Sequence, residues 1–127
     1  MKIENQVVSL ELAKKLKELG VTQESYAYWV DQAFGGGFPL HIRGFCIGGV
    51  SAFTVAELGE MLPQLTNYRI WQQHSTDTSK MAGKWAVTVN DVQDDKFDEV
   101  IANTEADARA KILIYLIENG LVSVSNL

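Results

Sequence analysis

The most informative segment of the chain is Thr104-Glu105-Ala106-Asp107-Ala108-Arg109-Ala110-Lys111-Ile112-Leu113-Ile114-Tyr115-Leu116-Ile117-Glu118-Asn119-Gly120. Thr104 is a favourable N-cap residue, two acids follow in the first turn, and Asn119-Gly120 is a typical helix end, so a helix is predicted between them. Small apolar residues come first and large ones follow, which predicts that the helix starts close to a sheet. The predicted apolar face consists of Ala106, Ala110, Leu113, Leu116 and Ile117, widened by Ile112 and Tyr115.

The opposite face of this helix is predicted to be polar, with one exception. Asp107, Lys111 and Glu118 share that face with Ile114. An isoleucine in a charged row is either an ordinary exposed side chain or part of a contact between subunits. Ile114 is therefore the candidate interface residue.

Two shorter helices are predicted earlier in the chain. The first begins at Ser9, whose hydroxyl is expected to cap it, and ends at Gly20. The second begins with Thr54-Val55-Ala56-Glu57, a capping-box sequence, and ends before Pro63. Gly59 lies inside this short helix and costs about 1 kcal/mol relative to alanine, which suggests that another element packs closely over it.

Between these helices, side chains alternate in the way typical of β-strands. The predicted strands cover residues 25–31, 40–47, 67–73 and 84–90, with a short extended piece at 99–102. A helix is the alternative for residues 26–30. The first two strands are expected to form a hairpin across Gly35-Gly36-Gly37, and the next two to be joined by a polar loop at 74–80. The predicted fold class is α+β, a single domain over residues 1–127 with an antiparallel sheet of about four to five strands and three helices mainly on one face.

Composition excludes several broad classes of protein. The 127 residues are 46% hydrophobic and 21% charged, as in an ordinary globular domain. Sixteen acids against eleven bases give a net charge of −5, which disfavours nucleic acid as a partner because phosphate contacts need lysine or arginine. The sequence has one cysteine and no apolar run long enough for a membrane span, and residues 1–5 lack the apolar stretch that a signal peptide would have. We expect a cytoplasmic protein that does not bind membranes.

No motif predicts a cofactor, a metal or a catalytic centre. The two glycine runs lack the residues that phosphate-binding loops require, and the acidic stretch 91–99 does not fit the calcium-binding EF-hand pattern. Cys46 with His41 or His74 is the one conceivable nucleophile–base pair, but strand parity puts Cys46 opposite to His41. The sequence therefore predicts a protein that is not an enzyme.

Residues 11–30 also resemble the first two helices of a helix-turn-helix. Leu12, Ala13 and Leu16 would belong to the first helix and residues 20–24 to the turn. A basic recognition helix should follow, but residues 34–39 contain three glycines. A DNA-binding regulator remains an alternative.

One set of side chains is a candidate binding surface. If Leu40, Ile42, Tyr68 and Ile70 face the helices, the residues at the alternate positions of the same strands lie on the opposite face of the sheet. Aromatic rings mixed with guanidinium groups can stack a planar anionic ligand, such as a nucleotide, or anchor a protein interface. Alternatively, the aromatic side chains of this surface simply pack under a loop. The candidate residues are His41, Arg43, Phe45, Arg69 and Trp71.

Three blocks of the chain carry a resemblance: residues 7–21, 51–63 and 104–119, with Tyr28-Trp29 between the first two. Together they resemble a family of small uncharacterised proteins of bacteriophages, prophages and their bacterial hosts. The resemblance implies an origin in mobile genetic elements and implies no reaction. Residues 64–100 contribute nothing to it.

These observations lead to three functional hypotheses. The first is a non-enzymatic phage or prophage accessory protein that binds a host protein or associates with itself as a homodimer. The second is a protein that binds a small anionic, nucleotide-like ligand, and the third is a DNA-binding regulator.

Overall fold

The computed structural model describes residues 3–30, 40–42, 49–62, 68–74, 84–91, 96–120 and 122–126. Within them the helices are α1 (Leu10–Glu18), α2 (Val55–Met61) and α3 (Glu105–Glu118), with short 3-10 turns at Ile3–Asn5 and Val124–Asn126. The strands are β1 (Ala27–Trp29), β2 (Leu40–Ile42), β3 (Val50–Ser51), β4 (Tyr68–His74), β5 (Trp85–Asp91) and β6 (Lys96–Ala102). The protein is an α+β fold with antiparallel sheet, as the sequence predicts.

The strands do not form the single predicted sheet. Among the described residues they form two three-stranded sheets, with strand orders β2-β1-β3 and β4-β5-β6. All pairings are antiparallel. Helix α2 follows β3 almost directly, so the chain leaves the first sheet before β4 begins.

Both predicted hairpin pairings are present. Ala27 lies opposite Ile42 and Trp29 opposite Leu40, so residues 27–29 are a strand and the helical alternative is wrong. Strands β4 and β5 pair along their full lengths. The last strand extends to Lys96, beyond the predicted 99–102, because it pairs with all of β5. Cross-strand pairing thus outweighs the poor strand propensity of its acids.

Helix α3 is more deeply buried than its sequence pattern predicts. It packs against β5, β6, α1 and α2, so more than one side of it is covered. Ile114 is only 7% exposed and belongs to the hydrophobic core. The prediction that it lies on a free face and contacts another subunit is therefore wrong. The buried residues of α3 are Ala106, Ala108, Ala110, Ile112, Leu113, Ile114 and Leu116.

Helix α1 begins at a main-chain hydrogen bond to α3 and ends at a glycine. The Ser9 hydroxyl makes no capping bond, contrary to expectation; instead, the Ser9 main-chain N–H donates to Asp107 Oδ1 of α3 at 2.7 Å. At the other end Gly20 has φ +93°, a conformation that favours glycine, and the helix ends there as predicted. The Trp29 indole donates to the Val8 carbonyl at 2.9 Å and so ties the first sheet to the segment that precedes α1.

Candidate functional site

An open groove of about 1150 Å³ lies where the N-terminal segment, the start of α2 and the start of α3 meet. We call it the cap groove. It is lined by residues 5–6, 54–56, 85, 103–105 and 109.

Main-chain hydrogen bonds join two of the segments that line the cap groove, the N-terminal segment and the start of α2. The Val8 N–H donates to the Phe53 carbonyl at 2.9 Å, and the Val55 N–H donates to the Gln6 carbonyl at 3.1 Å. Val7 and Thr54 form an antiparallel bridge between them. The N-terminal segment is therefore fixed against the first turn of α2.

Two helix-capping threonines open onto the groove. Thr54 Oγ1 accepts from the Glu57 N–H at 3.2 Å while Glu57 Oε1 accepts from the Thr54 N–H at 2.9 Å, which confirms the predicted capping box. Thr104 Oγ1 accepts from the Asp107 N–H at 3.2 Å. Each hydroxyl keeps its own proton for donation. Glu57, Glu105 and Asp107 already offset the positive helix ends, so this region does not favour an anion.

Arg109 joins α3 to α2 at the edge of the groove. Its Nη1 donates to the Val55 carbonyl at 3.0 Å, and its Nη2 pairs with Glu105 Oε1 at 3.1 Å. A β-carbon built on Gly59 would collide with Nη1. This contact confirms that another element packs closely over Gly59. Because the guanidinium is paired with a carboxylate, the charges of the described lining residues cancel.

The other polar residues that the structure describes in the groove lining are uncharged. The side-chain amides of Asn5, Gln6 and Asn103 are solvent-exposed and make no hydrogen bond within the described part of the chain. Trp85, the first residue of β5, contributes a half-buried indole. An amide both donates and accepts hydrogen bonds, so this lining suits a neutral ligand with both kinds of group.

The structure does not place the predicted binding residues on one sheet face. His41 lies in β2 of the first sheet, whereas Arg69 and Trp71 lie in β4 of the second. The prediction relied on one continuous sheet, so its parity argument does not apply across two. Arg43 and Phe45 lie outside the described residues.

The same division separates the two histidines of the conceivable catalytic pairs. His41 is in the first sheet and His74 ends β4 in the second, while Cys46 lies outside the described residues. Among the residues that the structure describes, no cluster of three or more histidines, cysteines and acids is arranged to hold a metal ion. Within the same residues, no helix has the length and apolar character needed to cross a membrane.

The helix-turn-helix interpretation of residues 11–30 is wrong. The first helix is present as α1, but residues 21–25 are not helical and β1 follows where the second helix would lie. β1 is the central strand of the first sheet, and this pairing overrides the local resemblance.

The cap groove was not foreseen from the sequence, although both of its threonines were identified as caps. Their convergence depends on contacts between distant segments, such as the Ser9–Asp107 bond, which joins residues 98 positions apart. No sequence signal within either segment reveals that contact.

Comparison with known proteins gives no match: no family model, no curated protein and no solved structure is detectably similar to the chain.

Proposed function

We propose that this protein is a non-enzymatic binding protein that recognises an extended, uncharged segment of a partner polypeptide in the cap groove. The observation that carries the proposal is the combination, within the described part of the chain, of cancelled charge and amides that make no hydrogen bond. The Glu105–Arg109 pair is neutral, and the amides of Asn5, Gln6 and Asn103 are available. An extended peptide offers alternating N–H and C=O groups, which match amides and hydroxyls that donate and accept.

The alternatives receive less support from the groove. A nucleotide-like ligand needs cations for its phosphates, and the Arg109 guanidinium is already paired with Glu105. A DNA-binding regulator would need a recognition element, and the helix-turn-helix that suggested one is not formed. The net charge of −5 also opposes DNA binding.

The resemblance of residues 7–21, 51–63 and 104–119 to phage and prophage proteins supports an accessory role of that type. In such a role the partner would be a host protein. These blocks contain α1, α2 and α3 with both capping threonines, so the resemblance coincides with the elements that build the groove.

The test is a selection of binding peptides from a random displayed library, followed by affinity measurement on variants. Ala56→Arg puts a long cation into the groove at an exposed position of α2. Arginine is a good helix former, and a cation in the first turn opposes the helix dipole by no more than about 1 kcal/mol, so α2 should still form. Selected peptides should be uncharged on average and bind Ala56→Arg at least tenfold more weakly, a difference of about 1.4 kcal/mol.

Thr22→Arg is the matched control, because it changes the net charge by the same amount, and Thr22 is exposed and is not among the residues that line the groove. It should leave the affinity of the same peptides unchanged. Peptides that bind wild type and Ala56→Arg equally would contradict the proposal, as would a selection that yields no binder.

A further inference from the structure

The two outer strands of the second sheet, β4 and β6, differ in how their edges are treated. Both have seven residues and both flank β5. An outer strand presents unpaired N–H and C=O groups, to which a strand of another chain can bind. Proteins usually block such edges with lysines or other charged residues.

The β6 edge carries this kind of protection. The Lys111 ammonium reaches from α3 and donates to the Ile101 carbonyl of β6 at 3.0 Å. The strand also contains one lysine and two acids, Lys96, Asp98 and Glu99. Two copies of β6 aligned antiparallel would bring acids close to acids.

The sequence of β4 lacks the lysine and the acids of β6. Its sequence, Tyr-Arg-Ile-Trp-Gln-Gln-His, contains Arg69 as its only charged residue and has neither proline nor glycine. Among the described residues, β4 pairs only with β5. Two chains of net charge −5 repel one another, so a contact between copies is favoured where no acid lies.

We propose that two copies of the protein associate through β4, antiparallel about a two-fold axis, to form one continuous six-stranded sheet. Full overlap of Tyr68–His74 places Trp71 on the axis and Arg69 opposite Gln73 of the other copy. The pairing spans about 20 Å of strand edge. The two Arg69 residues then lie four positions apart along the strands, too far to repel strongly in salt solution.

Sedimentation equilibrium from about 1 µM to about 500 µM, at about 50 mM salt, tests this proposal on the full chain. Wild type should show a reversible dimer. Gln73→Lys puts like charges opposite each other at two symmetric places and should raise the dimer Kd about threefold or more. Gln73→Glu pairs each new carboxylate with Arg69 and should lower the Kd by a similar factor.

Opposite shifts from one position cannot arise from loss of folding, which would weaken the dimer in both variants. Thr22→Lys and Thr22→Glu are the controls, because Thr22 is exposed, lies outside β4, is not among the residues that line the cap groove, and the changes in net charge are the same. They should leave the Kd within about twofold of wild type. A monomer throughout the concentration range overturns the proposal, and so does a dimer whose Kd does not respond in opposite directions to the two Gln73 variants. Peptide binding in the cap groove is measured separately, so the two proposals fail independently.

Discussion

At the scale of single residues, Gly59 and Arg109 illustrate how a glycine in a helix makes room for a side chain from another helix. The guanidinium Nη1 lies too close to the position that a β-carbon would take, and the guanidinium bonds to the Val55 carbonyl and to Glu105. Sequence pattern predicts a close approach at Gly59 but not which side chain makes it. The partner, Arg109, lies 50 positions further along the chain in α3, and local sequence does not determine how α3 packs against α2.

We expect Gly59→Ala to lower the free energy of unfolding by about 1 kcal/mol, because displacing Arg109 leaves a main-chain carbonyl without its charged donor. In an Arg109→Ala background the same change should instead stabilise by about 0.5–1 kcal/mol, the helix-propensity gain of alanine over glycine. Urea unfolding of the four proteins of this double-mutant cycle measures the effect of Gly59→Ala on the unfolding free energy in each background. If Gly59→Ala has the same effect in both backgrounds, the two residues are not coupled.

Ile114 gives a second prediction at this scale. Because it is buried in the core of the monomer, Ile114→Ala should cost about 2–5 kcal/mol of unfolding free energy. Ile101→Ala, at a 38% exposed isoleucine of β6, should cost less than about 1 kcal/mol. Denaturant titrations at two protein concentrations provide the check: an effect of Ile114→Ala on self-association without a loss of stability would restore Ile114 as an interface residue.

At the scale of elements, local sequence predicts the helices well because their end signals are short-range. The Thr54 capping box, the Thr104 cap, Gly20 and Asn119-Gly120 all lie where the sequence puts them. The prediction is wrong for Ser9, whose main-chain N–H is bonded by the distant Asp107. The division into two sheets was also beyond prediction, since alternation identifies strands but not their partners.

Alanine substitutions can compare the side chains that are expected or observed to bond to the first turns of α1 and α2. Thr54→Ala removes a capping box and should cost about 1 kcal/mol, whereas Ser9→Ala should cost less than about 0.5 kcal/mol because its hydroxyl caps nothing. Asp107→Ala should cost about 1–3 kcal/mol, since it leaves the part-buried Ser9 N–H without its acceptor. Thermal and urea unfolding rank the three variants. An equal cost for Ser9→Ala and Thr54→Ala would mean that the Ser9 hydroxyl caps α1 in solution.

At the scale of the whole molecule, α3 connects the parts. It packs on β5 and β6, on α2 through Arg109, and on α1 through Asp107 and the weak, exposed Lys15–Glu118 pair at 3.9 Å. The cap groove lies where its first turn meets α2 and the N-terminal segment. Sequence pattern predicted α3 and its caps, but a groove built from three distant segments has no local signature. His41 lies in a different sheet from Arg69 and Trp71, because alternation along a strand does not specify which sheet the strand joins.

Because the described lining of the groove carries no net charge, we expect salt to have little effect on peptide affinity. The affinity of a selected peptide should change less than about twofold between 50 mM and 500 mM salt, because few charges are screened when it binds. Fluorescence anisotropy of a labelled peptide measures this. An affinity that falls tenfold or more would point instead to recognition of charge.

The most direct measurement is a nitrogen-15 NMR titration of the protein with a selected peptide, following side-chain amides and indoles. Binding in the cap groove should shift the amides of Asn5, Gln6 and Asn103 and the indole of Trp85, and leave the indole of Trp29 in place. Saturating binding that leaves those four groups unshifted would contradict the account.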